Sequence, residues 1–257
     1  METHGVYLGN LPWTEIKERI DTHPVVIFPI GAVEQHGPHM PLLTDTLMVR
    51  WLAIEAAQRT RGILVAPELP YGMSANHARF AGTATLGVDT LRSVIVDVGE
   101  SLLSHGFKTF VILNGHGGNN ATAAVAAIEL RRRTGKTVAN IYTAALVKNA
   151  YKELECEVVW HADEAETSAV LAAMPQVVAM DRAVREIPAP MPLFEFTEEA
   201  LSHSVVDLGI PATDLITKSG TIGDATLARP EKGRRIVDEQ IEHLSHILTS
   251  LVEASSN

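Results

Sequence analysis

The sequence is poor in the residues that cross-link or anchor a chain. Cys156 is its single cysteine, so an intrachain disulfide framework and a Cys-x-x-Cys zinc site are both excluded. No apolar run approaches the roughly 18 residues that a membrane-spanning helix needs. The first residues also lack the basic and apolar regions of a signal peptide. These absences predict a protein of the reducing cytoplasm that binds no membrane, in which histidines and carboxylates hold any metal.

Positive charge is scarce as well. The chain has 21 Lys and Arg against 31 Asp and Glu, a formal net charge of -10, which argues against nucleic acids and anionic membranes as partners. It has no Gly-x-Ser-x-Gly sequence, which removes the usual signal of a serine hydrolase. The 257 residues are 46% hydrophobic, enough to bury a substantial core. With no linker or repeat visible, we predict a single domain over residues 1–257.

Apolar runs alternate with amphipathic stretches along the first half of the chain. Continuous rather than alternating apolar strands in a strand–helix–strand order predict an α/β fold with a mainly parallel sheet covered on both faces. Residues 183–218 are rich in proline and polar residues, and we expect loops with short strands there. The predicted strands are 25–30, 63–69, 109–113 and 137–142, and the predicted helices are 12–22, 46–61, 89–105, 121–133 and 231–253, with a further helix start leading into 169–173.

The first chemically informative stretch follows the strand at 25–30. Glu34 and His36 are two residues apart, so their side chains point the same way in an extended segment, and Asp45 comes nine residues later. Two carboxylates and an imidazole converging at a strand end suit a divalent transition metal. The alternative is a surface histidine together with an aspartate that caps the next helix. The prolines and glycines around the three residues favour the metal site.

A second candidate lies after the strand at 109–113, where His116 stands among Gly115, Gly117 and Gly118. Glycines allow close approach, and the next helix offers unpaired N–H groups at its start. A phosphate cradle is disfavoured, because the lysine and Ser/Thr of a P-loop are missing. A metal-binding histidine beside donors for an oxyanion fits better, and a plain tight turn is an equal alternative. Strand ends of a parallel sheet share one edge, so we expect this motif to meet the first.

The third stretch runs from His161 to Ser168 and contains Glu164 and Glu166. Acidic residues in the first turn of a helix also complement its dipole, which is the simpler interpretation. The two glutamates are two positions apart, so on a helix only one easily faces a common site. Glu166 shares the apolar face, which favours it as a ligand, with Glu164 or His161 nearer the substrate or the surface. His77 is a further candidate for a substrate or supporting group, with a core or surface histidine as the alternative.

Taken together, these motifs resemble the creatininase family of metal-dependent amidohydrolases. The resemblance rests on Gly31-Ala-Val-Glu34-Gln-His36-Gly-Pro-His39, Asn114-Gly-His116-Gly-Gly-Asn119 and His161-Ala-Asp-Glu164-Ala-Glu166, in the family's order. It implies a three-layer α/β/α fold, two divalent metal ions per subunit (Zn, or else Mn or Fe) and a homo-oligomer, commonly a hexamer.

By that resemblance, four of the metal ligands are Glu34, His36, Asp45 and His116, with Asp45 as the bridge. Creatininase itself carries Tyr-Glu where this chain has Gly117 and Gly118, so Glu166 is the natural substitute for the missing carboxylate. This departure argues against creatinine itself as the substrate. Asp163 and Ala81 are smaller departures, at places where many members have glycine and proline.

The resemblance then implies hydrolysis of a C–N amide bond in a small amide, cyclic as in creatinine or related to it, by a metal-bridged hydroxide. Glu164 or His161 would carry the proton to the leaving nitrogen, and the amides of Gly117 and Gly118 would hold the oxyanion. Trp160 would form a wall of the pocket, and His77 would lie near the substrate. The alternatives are deformylation of a pyrimidine intermediate, peptide cleavage that matures a cofactor, and a binding subunit without catalysis.

Overall fold

The computed structural model describes residues 5–189 and 211–255 and is built on a four-stranded parallel sheet. In chain order its strands are β1 (Val25–Ile30), β2 (Ile63–Val65), β3 (Thr109–Asn114) and β4 (Thr137–Tyr142). Across the sheet the order is β2-β1-β3-β4. β1 and β3 pair along their whole length and are buried throughout, because strands covered on both faces are apolar at every position.

Helices cover both faces of the sheet. They are α1 (Trp13–Arg19), α2 (Thr44–Arg59), α3 (Val88–Ser104), α4 (Asn120–Thr134), α5 (Glu164–Ala173) and α6 (Pro230–Ser255). Val25 and Ile27 of β1 pack with α2 and α6 on one face. Val26 and Phe28 pack with α3 and α4 on the other. The predicted three-layer α/β/α fold with a mainly parallel sheet is confirmed.

The observed bounds differ from the predicted ones at a few ends. α2 begins and ends two residues earlier than the predicted helix 46–61, and α1 is shorter than predicted. β2 ends at Val65 rather than at residue 69, because the two-residue repeat of the ladder is broken there: Ala66 donates to the Ile27 carbonyl, and the next bond to β1 comes three residues later. The backbone nevertheless continues alongside β1, since the N–H of Leu69 donates to the Pro29 carbonyl over 2.9 Å.

The order of the strands places both polar motifs at one point of the sheet. From β1 the chain crosses to β2 on one side, whereas β3 continues to β4 on the other, so the direction of winding changes between β1 and β3. Ligands of open α/β sheets bind at the carboxyl ends of the strands at such a point. The Gly115 N–H donates to the Ile30 carbonyl over 2.9 Å, which joins the two loops directly. The expectation that the motifs meet is confirmed.

A smaller antiparallel pair follows later in the chain, between β5 (Arg185–Glu186) and β6 (Gly223–Asp224). β5 is one of the short strands expected within 183–218, and residues 190–210 of that stretch lie outside the described part of the chain. Across residues 5–189 and 211–255, the structure contains no helix with the length and apolarity required to cross a membrane.

Candidate metal centre

Six side chains from four parts of the fold converge beyond the carboxyl ends of β1 and β3. Three sets of three residues could each hold a metal ion, because the ligand atoms of a set lie within 4.8 Å of one another. The sets are Glu34, His36 and His161; Glu34, Asp45 and His116; and His36, Asp45 and Glu166. The loop after β1 supplies Glu34 and His36, α2 supplies Asp45, the loop after β3 supplies His116, and the segment at α5 supplies His161 and Glu166. The five residues predicted as metal ligands are therefore brought together, and His161 joins them.

Asp45 does not cap its helix. α2 begins at Thr44, its cap position is Leu43 and no side chain caps it. The Asp45 carboxylate instead faces the imidazoles: Oδ1 lies 3.1 Å from His36 Nε2 and Oδ2 lies 3.2 Å from His116 Nδ1. Each oxygen thus meets a different histidine. This geometry suits a carboxylate that is shared between two neighbouring sites.

Three histidines of the centre are fixed by the backbone in the same way. In each, one ring nitrogen lies against a carbonyl oxygen, which only accepts, so that nitrogen carries the proton and the opposite one is free to bind a metal ion or a proton. Such N–H donation is the usual support of metal-binding histidines. The pairs are His36 Nδ1 with Glu34 O at 3.1 Å, His116 Nε2 with Met73 O at 2.9 Å and His161 Nε2 with Gln35 O at 2.7 Å.

Two buried carboxylate oxygens of the centre, Glu34 Oε2 and Asp45 Oδ2, accept no hydrogen bond, and each has a His116 ring nitrogen beside it at 3.2 Å. A buried carboxylate oxygen without a partner is costly, and most such atoms in proteins are paired or bound to a cation. A hard or borderline divalent cation would satisfy both oxygens and would also use the free imidazole nitrogens. The donor set therefore fits a divalent metal site.

The charges of the centre favour a cation. Burial lowers the pKa of His36, but the Asp45 carboxylate, together with Glu166 and Glu34, raises that pKa to about 10. Burial likewise opposes the charged form of His116, and Glu34 with Asp45 raises its pKa to about 9. Burial would raise the pKa of Asp45, yet His36 and His116 hold it well below the usual range. Without metal, protons on the histidines balance the carboxylates, and metal ions compete with those protons.

Glu166 enters the centre from the first turn of α5. Its Oε2 accepts the Ala162 N–H over 2.6 Å, and Ala162 is held at φ 49°, in the left-handed region that alanine rarely occupies. Asp163 caps α5, accepting the N–H of Glu166 over 3.0 Å and that of Trp160 over 2.6 Å. The turn that leads into the helix therefore fixes the direction of the Glu166 carboxylate.

Glu164 points elsewhere, as the two-residue spacing on a helix predicts. Its carboxylate is fully buried and accepts the backbone N–H groups of Glu155 and Cys156 over 2.8–3.1 Å. It also pairs with the Lys232 ammonium from α6. These contacts correct the prediction that Glu164 carries a proton at the site, because the carboxylate is bound to a loop and a lysine. Of the two alternatives, His161 is the one that lies in the centre.

His77 lies beside the centre and supports it. Its Nδ1 accepts from Gln35 Nε2, a group that only donates, over 2.8 Å, so the proton of the neutral ring is on Nε2. That nitrogen faces Glu34 Oε1 at 3.5 Å, and the ring contacts the His161 ring at an interplanar angle of 38°, with centroids 4.4 Å apart. Thr213 Oγ1 lies 3.2 Å from Nδ1 and donates to the same acceptor. His77 is therefore placed to orient a predicted ligand.

Glycine at position 118 is required by the close approach of two loops. A Cβ there would lie 2.3 Å from the Met73 carbonyl and 2.5 Å from His116 Nε2, the two atoms that form the hydrogen bond fixing His116. The residues Gly117–Asn119 form a single 3-10 turn before α4. The roles of the Gly117 and Gly118 amides as oxyanion donors, and of Trp160 as a pocket wall, stay predictions.

Sequence reasoning missed the side chains that tie these loops together. Asn119 is fully buried; its Oδ1 accepts the Met73 N–H over 2.8 Å and its Nδ2 donates to the Gly31 carbonyl over 3.0 Å. Gln35 links His77 to the Gly220 carbonyl, to which it donates over 3.1 Å. Gln35 and Asn119 lie inside the two motifs, and this position was the signal in the sequence that could have identified them as supporting residues. Thr213 comes from a distant part of the chain, and its sequence surroundings carry no signal.

The fold is that of an α/β protein with a parallel sheet. A candidate metal centre lies at the carboxyl ends of β1 and β3, where the direction of winding changes. The family model for creatininase, described as creatinine amidohydrolase, matches residues 9–248. The chain therefore belongs to the creatininase family and is a hydrolase of that family, as the motifs predicted.

Named relatives differ in what they cleave. The mycofactocin precursor peptide peptidase of Mycolicibacterium smegmatis is 34% identical, covering 85% of this chain and 81% of that protein. The creatinine amidohydrolase of Pseudomonas putida is 30% identical, covering 94% of this chain and 95% of that protein. Solved creatininase structures that match include a Zn–Zn form of a mutant creatininase (26% identical) and a Mn form (28% identical), each with a TM-score of 0.81 over 95% of this chain and 97% and 98% of theirs.

Proposed function

We propose that this chain hydrolyses a C–N amide bond with the help of two divalent ions per chain, Zn or else Mn or Fe. The observation that carries the proposal is the Asp45 carboxylate, whose two oxygens each face the free nitrogen of a different backbone-fixed histidine. On one side Glu34 and His116 complete a ligand group, and on the other His36 and Glu166 do so. A ligand set divided in this way around one carboxylate supports a pair of ions rather than one.

When bound, divalent ions polarise an amide carbonyl and make a hydrolytic water acidic near neutral pH. His161 is proposed to handle the proton. Its Nε2–H is committed to the Gln35 carbonyl, so Nδ1 is free to take a proton from the attacking water and return it to the leaving nitrogen. Nδ1 lies 3.8 Å from Glu34 Oε1 and 4.0 Å from Glu166 Oε2, on the inner side of the ligand cluster.

The substrate is proposed to be a small amide. Gly117 and Gly118 replace the Tyr-Glu pair of creatininase, so a cyclic amide related to creatinine is a better candidate than creatinine itself. Peptide cleavage is the second candidate, and the match to mycofactocin precursor peptide peptidases favours it. Deformylation of a pyrimidine intermediate is retained as a third reaction to test. A cytoplasmic location stays a prediction from the sequence. A homo-hexamer stays an expectation from the family resemblance, and light scattering measures it.

The first experiment combines metal content with a panel of creatinine, formamides and short peptides. We expect about two divalent ions per chain after purification without chelator, and turnover of one amide class. Asp45→Asn should lose the bound metal and the activity together. Asp89→Asn is the matched control, because Asp89 lies at the start of α3 with a side chain that is 95% exposed.

Two results would contradict the proposal. Close to no metal, with no uptake of added Zn or Mn, would mean that the ligands do not bind ions. Protein that holds its metal but hydrolyses no member of the panel would instead support a binding subunit without catalysis.

A further inference from the structure

Beside the metal centre lies a cavity of about 90 Å³ between α2, α5, α6 and the end of β4. Asp45 and Glu166 line one part of it, so the cavity opens onto the proposed ligand cluster. The Glu166 side chain is 38% exposed although it belongs to that cluster, whereas His36 is fully buried. A group bound in the cavity would therefore touch the carboxylates from their accessible side.

Most of the remaining wall is apolar. Met48 and Leu52 come from α2, Ala169 from α5 and Ile236 from α6. Gln240 supplies an amide, which is oriented by donation from its Nε2 to the Thr143 carbonyl over 3.1 Å. Among the described residues that line the cavity, none is lysine or arginine, and the charges present are the carboxylates of Asp45 and Glu166. In the metal-free chain these carboxylates repel anions, and the apolar part of the wall suits a neutral, mainly aliphatic group.

The volume of the cavity limits the size of the group that it can bind. A dry cavity of about 150 Å³ in another protein accommodates benzene, so a space of about 90 Å³ suits a branched chain of three to five carbons rather than a ring. Interiors are otherwise close-packed, and voids of this size are few in a domain. The wall of the cavity is mostly apolar, and the candidate ligand carboxylates lie at its edge. This arrangement suits a pocket that binds an aliphatic side chain of the substrate.

We propose that this cavity binds a neutral, branched aliphatic group, of the size of a valine or leucine side chain, next to the amide bond that is cleaved. The identity of the cleaved bond rests on the proposed function, but binding in the cavity does not. The proposal selects among the reactions of the family: amides with an aliphatic side chain, peptides included, fit the pocket, whereas a phosphorylated formamide meets no lysine or arginine among the described lining residues.

Binding is tested first on the full chain treated with chelator, so that turnover plays no part. The probes are isovaleramide, acetamide and the anionic succinamate, measured by ligand-observed NMR titration. We expect isovaleramide to bind saturably and at least about 10-fold more tightly than acetamide, because it buries three more carbons. Succinamate should bind at least about 10-fold more weakly than isovaleramide, because it meets two carboxylates without a cation.

Two variants change the cavity in opposite directions. Ala169→Leu fills it and should weaken isovaleramide by about 10-fold or more while leaving acetamide within about twofold. Met48→Ala enlarges it and should shift the preference from isovaleramide towards cyclohexanecarboxamide, a measurement that decides the matter if Ala169→Leu does not fold. Val125→Leu is the control, since Val125 is an exposed residue of α4.

The outcomes separate this inference from the proposed function. The pocket proposal would be overturned if acetamide or succinamate bound as tightly as isovaleramide. It would also be overturned if neither cavity variant changed the binding of isovaleramide. Hydrolysis by metal-loaded enzyme without a preference for branched aliphatic amides, on either side of the scissile bond, would overturn it as well. Selective isovaleramide binding without hydrolysis of any amide would support the pocket and contradict the proposed function alone.

Discussion

At the scale of single residues, the centre depends on side chains that hold the ligands as much as on the ligands. His77 is the clearest of these, because its proton is placed on Nε2 by the Gln35 amide and faces Glu34 Oε1. We expect His77→Asn to lower metal affinity by about 10- to 100-fold, the usual effect of losing a partner of a ligand. Competition against a chromophoric chelator measures this.

The control for that variant is His105→Asn, at an exposed position after α3. Thermal unfolding of the two metal-free variants should agree within a few degrees, which separates loss of ligand support from loss of the fold. Unchanged metal affinity in His77→Asn would mean that Glu34 is oriented without it.

The convergence of the candidate ligands was predictable where chemistry and spacing agreed. Asp45 was singled out because a carboxylate followed Glu34 and His36 after a strand, and the choice of Glu166 over Glu164 followed from helix geometry. Thr213 was not predictable, because its contact with His77 joins positions 136 residues apart in sequence. The bond from His116 to the Met73 carbonyl depends on the path of a loop, which periodicity does not specify.

At the scale of elements, Glu164 joins three parts of the fold. Its buried carboxylate connects the first turn of α5 to residues 155–156 and, through Lys232, to α6. Removing one partner of a buried ion pair leaves an uncompensated charge. We therefore expect Lys232→Met to lower the free energy of unfolding by about 3 kcal/mol in urea denaturation, the lower end for a buried pair, because the lysine itself is partly exposed.

A double-variant cycle separates this pair from simple loss of packing. Glu164→Gln in the Lys232→Met background should cost less than Glu164→Gln alone, because the charge that Lys232 balances is then absent. Additive losses would show that the two groups do not interact. Arg234→Met serves as the control, since Arg234 is an exposed cation on the same turn of α6.

The elements themselves were more predictable than the contacts between them. β1 and β3 are continuous apolar runs because both faces of the sheet are covered, and their bounds followed closely from the sequence. α1 was predicted over 12–22 and ends at Arg19. A weak amphipathic pattern at the edge of a domain leaves the end of a helix to local contacts, which the sequence pattern does not resolve.

At the scale of the whole molecule, the two buried oxygens without hydrogen bonds link metal binding to stability. Glu34 Oε2 and Asp45 Oδ2 lie between the loop after β1 and α2, and in the metal-free fold each accepts no hydrogen bond and has an imidazole nitrogen of His116 beside it at 3.2 Å. A ligand that binds only the folded state stabilises it by about 2.7 kcal/mol at 100 times its Kd. In a protein of this size that corresponds to roughly 2–4 °C per kcal/mol in Tm.

We therefore expect saturating Zn or Mn to raise the Tm of chelator-treated protein by roughly 5–10 °C. Calorimetry on wild type, Asp45→Asn and the exposed control Asp89→Asn measures the shift. Asp45→Asn should lose most of it, because both proposed ion sites share that carboxylate, whereas Asp89→Asn should keep it. An equal shift in all three proteins would place the stabilising metal at another site and would remove the argument that Asp45 joins two ions. If Asp45→Asn alone loses the shift in Tm, metal binding at the centre between β1 and β3 is what stabilises the fold.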